Sequence, residues 1–550
     1  MLKKRLLALP ALVMAAALVF SACTPSGDGG GAGDINMGNV NKLGEFPILK
    51  NKVELTMLIN ESTSITDFDT NLYTQQIEEK VNVDIKFEYL PSADADQKLS
   101  VMISSGEKLP DMITRSFSPI NAYVYGSQGV LLPLNDLIDQ TYYTKNYLET
   151  EEGQSILKYI YSPDGNIYGY PRVVQDLGND WDHRMWINKT WLDAVGLDVP
   201  TTTDEFYNAM KAFKTSDPNG NGDPNDEIPF VGNTNGWHQS AWRPMMYSFT
   251  YLNDQFNYLQ AGADGNLQLA YMQPEFRDGL AYLNKLCSEG LLSPLTFTQN
   301  QDQFKQIIEN ADIQIVGAMT AGSMSVYTPT SMRKQDMTHM PPLVGPNGFM
   351  STNFRGTTIP DAFGAITKDC KDPVAAIMVY DFMYNRDQTL LGRFGEKDVD
   401  WKIPEGKDSL YAALGYGPLI DYLNPIWGTN QNKHWSENHP TLRTYDMICG
   451  TVWSGDPYDS QYMTALAVPD YIDKCIDNPV LRLVYTREEA DSIAEIQSTL
   501  ESYMVESVAA FVTGARPLSD WDTYLAEMKN IGSEKYCEVA TVAYKRMEAN

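Results

Sequence analysis

Apolar positions first alternate and then run together at Val53-Glu54-Leu55-Thr56-Met57-Leu58-Ile59, as in a strand that enters a core. A helical stretch follows to Lys80, and Val83 to Tyr89 alternates again, so this region opens as strand, helix, strand. Asp96 to Ser104 carries Leu99, Met102 and Ile103 at helical spacing, breaks at Gly106, and gives way to a strand from Leu109 to Ile113. Thr202-Thr203-Asp204-Glu205 predicts a helix start in which Thr202 and Glu205 satisfy each other's free N–H groups, with Phe206, Met210 and Phe213 on the buried face. Ile493, Ile496, Leu500, Tyr503, Met504, Val508 and Phe511 predict one long helix that stops at Gly514. The reading is α/β, and no internal repeat is found.

The first segment has a different pattern. Lys3, Lys4 and Arg5 precede an apolar run from Leu6 to Phe20. A bilayer span takes about 20 residues; this run has the length and basic flank of a signal peptide. Ser21-Ala22-Cys23 resembles a bacterial lipobox, which makes 1–22 the signal peptide and Cys23 the lipidated residue. The stretch Thr24 to Gly33 is Gly-rich and reads as a flexible tether, useful if Cys23 sits in a membrane.

The 550 residues exceed one ordinary core, so two lobes are expected. Acidic side chains outnumber basic ones 71 to 42, a net charge of -29 that repels phosphate backbones and argues against nucleic-acid binding. Cys287, Cys370, Cys449, Cys475 and Cys537 are widely spaced without CxxC, which excludes a zinc ribbon. They read as free thiols, with Cys449–Cys475 weighed as a disulfide.

Several segments in order resemble the type 1 extracellular solute-binding family, especially its large Gram-positive carbohydrate-binding lipoproteins. They are Asp96-Gln97-Lys98-Leu99 through Leu109-Pro110-Asp111, Leu132 to Ile138, Asp164 to Pro171, Met185-Trp186-Ile187-Asn188-Lys189 through Glu205-Phe206, and Phe511 to Tyr524. The resemblance implies a two-lobe periplasmic-binding-protein type II-like fold with a hinged inter-lobe cleft. It places a tether at 23–45, lobe one mainly in 46–170 plus a later segment, and lobe two mainly in 171–350 plus the C-terminal helices. It also implies a monomer, lipid-anchored on the outer face of the cytoplasmic membrane, that delivers a carbohydrate to ABC permease subunits.

Asp217-Pro218-Asn219-Gly220-Asn221-Gly222 matches the first half of a calcium loop, in which alternate oxygen ligands face one centre. The twelfth position is Ile228 where an EF-hand has Glu, so the full motif is not present. The loop resembles the structural calcium loop of alginate-binding family members. That resemblance assigns Ca2+ to Asp217, Asn219 and Asn221 by side chain, Asp223 by its carbonyl, and Asp226 and Glu227 by carboxylate, with Asn225 competing for a closing role. A polar Asn-Gly turn is the alternative.

Sugars stack their apolar faces on aromatic rings and hydrogen-bond through their hydroxyls. Five mixtures of Trp with polar partners offer this chemistry. They are Trp181 with Arg184; Trp237 and Trp242; Trp401 beside Asp400; Trp427 and Trp435 around Asn430, Asn432 and His434; and Trp453 near Asp456. Trp186, Trp191 and Trp521 read as packing residues. Gly317 to Gly322 reads either as a close backbone approach to ligand or as a tight turn. The competing functions are a sugar receptor for a membrane kinase and a lipid-anchored glycan-degrading enzyme. The enzyme would need two placed carboxylates, and no motif marks such a pair.

Overall fold

Two separate sheets divide the chain into two α/β lobes. The computed structural model describes residues 35–549 apart from 92, 224, 311–312 and 425–429. The signal segment, Cys23, the Gly-rich tether and Trp427 lie outside the described residues. Residues 36–550 form one compact unit that holds both lobes.

The six-stranded sheet has the order Leu442–Arg443, Tyr170–Val174, Asp361–Ile366, Met112–Thr114, Val53–Asn60, Val83–Leu90. Val53–Asn60 pairs in parallel with both Val83–Leu90 and Met112–Thr114, as the opening strand-helix-strand pattern requires. Asp361–Ile366 runs antiparallel to its neighbours and arrives from far along the chain. Its core joins Leu58, Leu90, Leu99, Ile113, Tyr168 and Ala365.

The four-stranded sheet has the order Met337–Met340, Met185–Asn188, Val316–Thr320, Ile228–Val231. The helix Thr203–Thr215 starts at the capping box read from the sequence, and buries Phe206, Met210 and Phe213. The long helix Arg487–Thr513 ends at Gly514 in the left-handed conformation. Its stripe packs into the second-lobe core with Phe276, Leu280 and Leu283. Among the described residues no helix is long and apolar enough to cross a membrane. All five cysteines described are free thiols, Cys449 and Cys475 included.

The chain passes from one sheet to the other after Tyr170–Val174, returns between Met337–Met340 and Asp361–Ile366, and leaves the six-stranded sheet again after Leu442–Arg443. These crossings meet at Asp180. Its carboxylate accepts the Thr357 N–H at 2.7 Å and the Tyr445 hydroxyl, and its carbonyl accepts the Arg355 N–H at 2.9 Å. Burial pushes this carboxyl up to about 6.

Candidate functional site

A cavity of ≈ 390 Å³ opens beside the first crossing segment. Asp176 caps the short helix Leu177–Asp180 by accepting the Asn179 N–H at 3.2 Å, which sets Asp176, Gly178 and Asn179 on the cavity wall. From the second lobe come Trp237 and the turn Gly322 to Ser325. Asn233 shapes the Trp237 loop, its side-chain oxygen accepting the N–H groups of Asn235 at 3.1 Å and Gly236 at 2.6 Å. Trp237 is 43% exposed, a large indole left open to solvent. Arg393 comes from the helix Arg386–Phe394, and Tyr411 and Tyr422 from the segment that follows it. The lining therefore joins aromatic faces to carboxylate, amide, guanidinium and hydroxyl groups from both lobes, which suits a polyhydroxylated molecule.

Asp176 and Asn179 also line a neighbouring cavity of ≈ 360 Å³, walled by Arg172, Arg355, Arg443 and Arg482. Asp361 lies 2.9 Å from Arg172 and 3.9 Å from Arg482. Glu437 pairs with Arg443 and lies 3.8 Å from Arg393. These neighbouring guanidinium charges, led by Arg443, outweigh the burial of Glu437 and hold its carboxyl below the usual range.

A family model of bacterial extracellular solute-binding proteins matches residues 62–389, more than half of the chain. The chain belongs to this family. It is accordingly a solute-binding protein and not an enzyme. Its relatives include the fructooligosaccharide ABC transporter substrate-binding protein FusA of Streptococcus pneumoniae, 25% identical over 519 residues that cover 92% of each chain. Lipoprotein LipO of Bacillus subtilis is 25% identical over 381 residues, covering 66% of this chain and 69% of LipO. FusA in complex with kestose superposes with a TM-score of 0.65 at 24% identity, covering 90% of this chain and all of FusA (100%). A second FusA form is described as an EF-hand mutant. An extracellular solute-binding protein of Bifidobacterium longum subsp. infantis superposes at 0.73 with 18% identity, covering 90% of this chain and 98% of its own. These structures share the fold.

In this solute-binding protein the sequence-predicted tryptophans separate sharply. Trp237 reaches the cavity. Trp453 is 37% exposed and stacks on Tyr462, with centroids 4.4 Å apart and planes 16° from parallel. Trp181 is half-buried against Phe354, and its indole N–H has no hydrogen-bond partner. The other described tryptophans named as ligand contacts face inward. Trp435 is 0% exposed, ringed by Phe68, Tyr73 and Phe87, and donates to Thr74 Oγ1 at 2.9 Å. Trp242 packs edge-on to Phe276 in the second-lobe core. Trp401 is buried beside Phe394 and donates to the Gly395 carbonyl at 3.0 Å. Trp435 and Trp242 have no free face for a sugar and are corrected to packing roles, while Trp401, although buried, borders a separate cavity of ≈ 470 Å³ that shares no lining residue with the one at the crossing. Trp186, Trp191 and Trp521 are buried as packing residues.

Arg184 is corrected in a different way. It is 0% exposed and donates to the carbonyls of Gly178 and Gly322. It touches no solvent, yet it ties together the two glycines that face each other across the cavity wall. Asp176, Tyr411 and Tyr422 escaped the sequence reading. Asp176 had a signal in its capping position before Asn179, while the tyrosines lie in an irregular stretch with no periodicity.

The loop after Thr215 folds around its own acids. Asp217 accepts the N–H groups of Asn221 at 3.1 Å and Gly222 at 2.7 Å, and Asn219 accepts that of Asn221 at 3.0 Å. Asp223 accepts from Asn225 at 3.1 Å. Asp226 receives the side-chain amides of Asn219 at 3.0 Å and Asn221 at 2.6 Å. Both carboxylate oxygens of Glu227 are buried with no hydrogen-bond partner. Burial, reinforced by Asp226, Asp217 and Asp223, raises the Glu227 carboxyl above its ordinary range. A buried, unpartnered carboxylate with other acids in the same loop is a group that a hard cation neutralises.

Proposed function

We propose that this protein captures an oligosaccharide between its lobes and presents it to the permease subunits of an ABC importer. The observation that carries the reading is the cavity at the lobe crossings, lined by exposed Trp237 and by Tyr411 and Tyr422 together with Asp176, Asn179 and Arg393. Ring faces provide stacking and the polar groups read hydroxyls, which together select a sugar over an apolar ligand. The FusA relationship across 92% of both chains supports the same role. Trp237 and Trp453 are the assigned aromatic contacts; Trp181 stands at the crossing with a free indole N–H.

The anchor is assigned to Cys23, after cleavage of residues 1–22, on the outer face of the cytoplasmic membrane. The basic flank, the apolar run and the Gly-rich tether support it, as does the similarity to a lipoprotein. Ca2+ is assigned to Asp217, Asn219, Asn221, Asp223, Asp226 and Glu227 as a structural ion. In that assignment the amides of Asn219 and Asn221 turn their oxygens toward the ion, releasing Asp226.

A thermal-shift screen against neutral and acidic oligosaccharides tests the capture role, because a ligand that binds only the native state raises the melting temperature. A rise with a glycan and no glycan breakdown supports it. No rise across the panel would contradict it.

A further inference from the structure

A second cluster of metal-ligating side chains stands apart from the acidic loop. Asp182 and His183 lie just before the strand Met185–Asn188, and His238 follows Trp237 in the cavity loop. One ligand atom from each of Asp182, His183 and His238 falls within 4.8 Å of the other two. Two donors at metal–ligand distances of about 2.0–2.2 Å are at most about 4.4 Å apart, when they sit on opposite sides of the ion. The three atoms are therefore near coordination spacing.

Asp182 and His183 are almost completely buried. The Nε2 atoms of His183 and His238 are both buried. His238 Nε2 lies 2.8 Å from Asp182 Oδ2. The two imidazoles are packed against each other, 4.2 Å between centroids and tilted by 48°. On its far side His183 Nδ1 contacts the Tyr247 hydroxyl. With Nδ1 carrying the proton, Nε2 keeps its lone pair, as in most metal-bound histidines. Asp182 is held from behind, its Oδ1 accepting the Asn353 amide at 2.9 Å. Asp254 Oδ1 stands 3.5 Å from His183 Nε2, with its other oxygen 3.2 Å from Arg243. Arg355 lies 3.4 Å from Asp182 Oδ2. His238 itself has φ +52, a conformation that non-glycine residues rarely hold without a compensating interaction.

We propose that Asp182, His183 and His238 bind one divalent transition-metal ion, zinc being the best match to two imidazoles and a carboxylate. Three protein ligands leave a fourth position for solvent. The ion would bridge the first crossing segment to the loop that carries Trp237, and so fix the indole at the cavity mouth. The site is independent of the acidic loop, whose all-oxygen donors suit Ca2+.

The test is zinc titration of the metal-stripped protein in excess Ca2+, followed by calorimetry and by melting temperature, with no sugar present. One zinc equivalent with a raised melting temperature is expected. His238→Gln and Asp182→Asn are expected to weaken binding at least about tenfold, while Glu227→Gln leaves it unchanged. Cobalt(II) in place of zinc is expected to give the strong visible absorption of a low-coordinate N/O site. Should a variant misfold, site-resolved diethyl pyrocarbonate labelling of the wild-type protein decides: zinc protects His238 and leaves His339, which is not one of the three ligands, reactive. Absence of saturable zinc binding by the wild-type protein overturns the proposal, as does binding that leaves His238 unprotected.

Discussion

Gly322 lies directly under the indole of Trp237: a Cβ at this position would stand 2.5 Å from the ring. The Gly322 N–H donates to the Trp237 carbonyl at 3.3 Å, so the turn and the aromatic loop are fastened backbone to backbone. Gly322→Ala is therefore expected to lift the indole off its seat with little change in fold. Ligand affinity should fall while the melting temperature without ligand stays near wild type. Calorimetry with the best glycan and a ligand-free melt check this together.

Arg184 supports the same wall from inside. Arg184→Met would leave the Gly178 and Gly322 carbonyls without their donor, and losing hydrogen bonds to a buried charged group costs on the order of 3 kcal/mol. Urea unfolding is expected to show this loss of stability. A ligand-facing arginine would instead lose affinity with stability intact.

The acidic loop predicts a metal-dependent melt. Ca2+ is expected to raise the melting temperature of the stripped protein, and a chelator to lower it again. Glu227→Gln, which removes the buried unpartnered carboxylate, should abolish most of the response. An equal calcium response in wild type and variant would exclude Glu227 as a ligand.

Stability is expected to fall on mild acidification. Burial pushes His434 and His439 down to about 4, against an ordinary value of about 6.5. Between those values the unfolded chain binds protons that the folded chain refuses. Each residue's contribution is thus fully present above pH about 6.5 and lost as pH falls to about 4, on the order of 3 kcal/mol apiece. Urea midpoints across this window, compared with those of His439→Gln, check the sign and size.

The elements that carry a strong local signal were readable from the chain. The capping box Thr202–Glu205 and the Ile493 to Phe511 stripe each report local hydrogen bonding or one-sided burial, and both form as expected. The two-lobe plan came from a chain too long for one core and from the order of family-like segments. Ring exposure did not follow from sequence. Trp435 sits among Asn432, His434 and Ser436 and looks like a polar cleft motif. Yet Asn432 accepts the Asp67 N–H at 3.1 Å and His434 accepts the Ser436 N–H at 3.0 Å, so those polar groups line a packed interior seam. Trp237 carries similar neighbours and stays open because the Asn233 turn projects it outward. Which indole is turned outward depends on contacts between distant segments, and composition around a residue does not encode it.

The central claim is tested most directly by isothermal titration of the protein with neutral oligosaccharides, wild type against Trp237→Ala. Saturable binding is expected in wild type, with Kd raised roughly thirtyfold by loss of an aromatic anchor of about 2 kcal/mol. No saturable binding to any oligosaccharide, or an unchanged Kd in Trp237→Ala, would contradict capture of a sugar in this cavity.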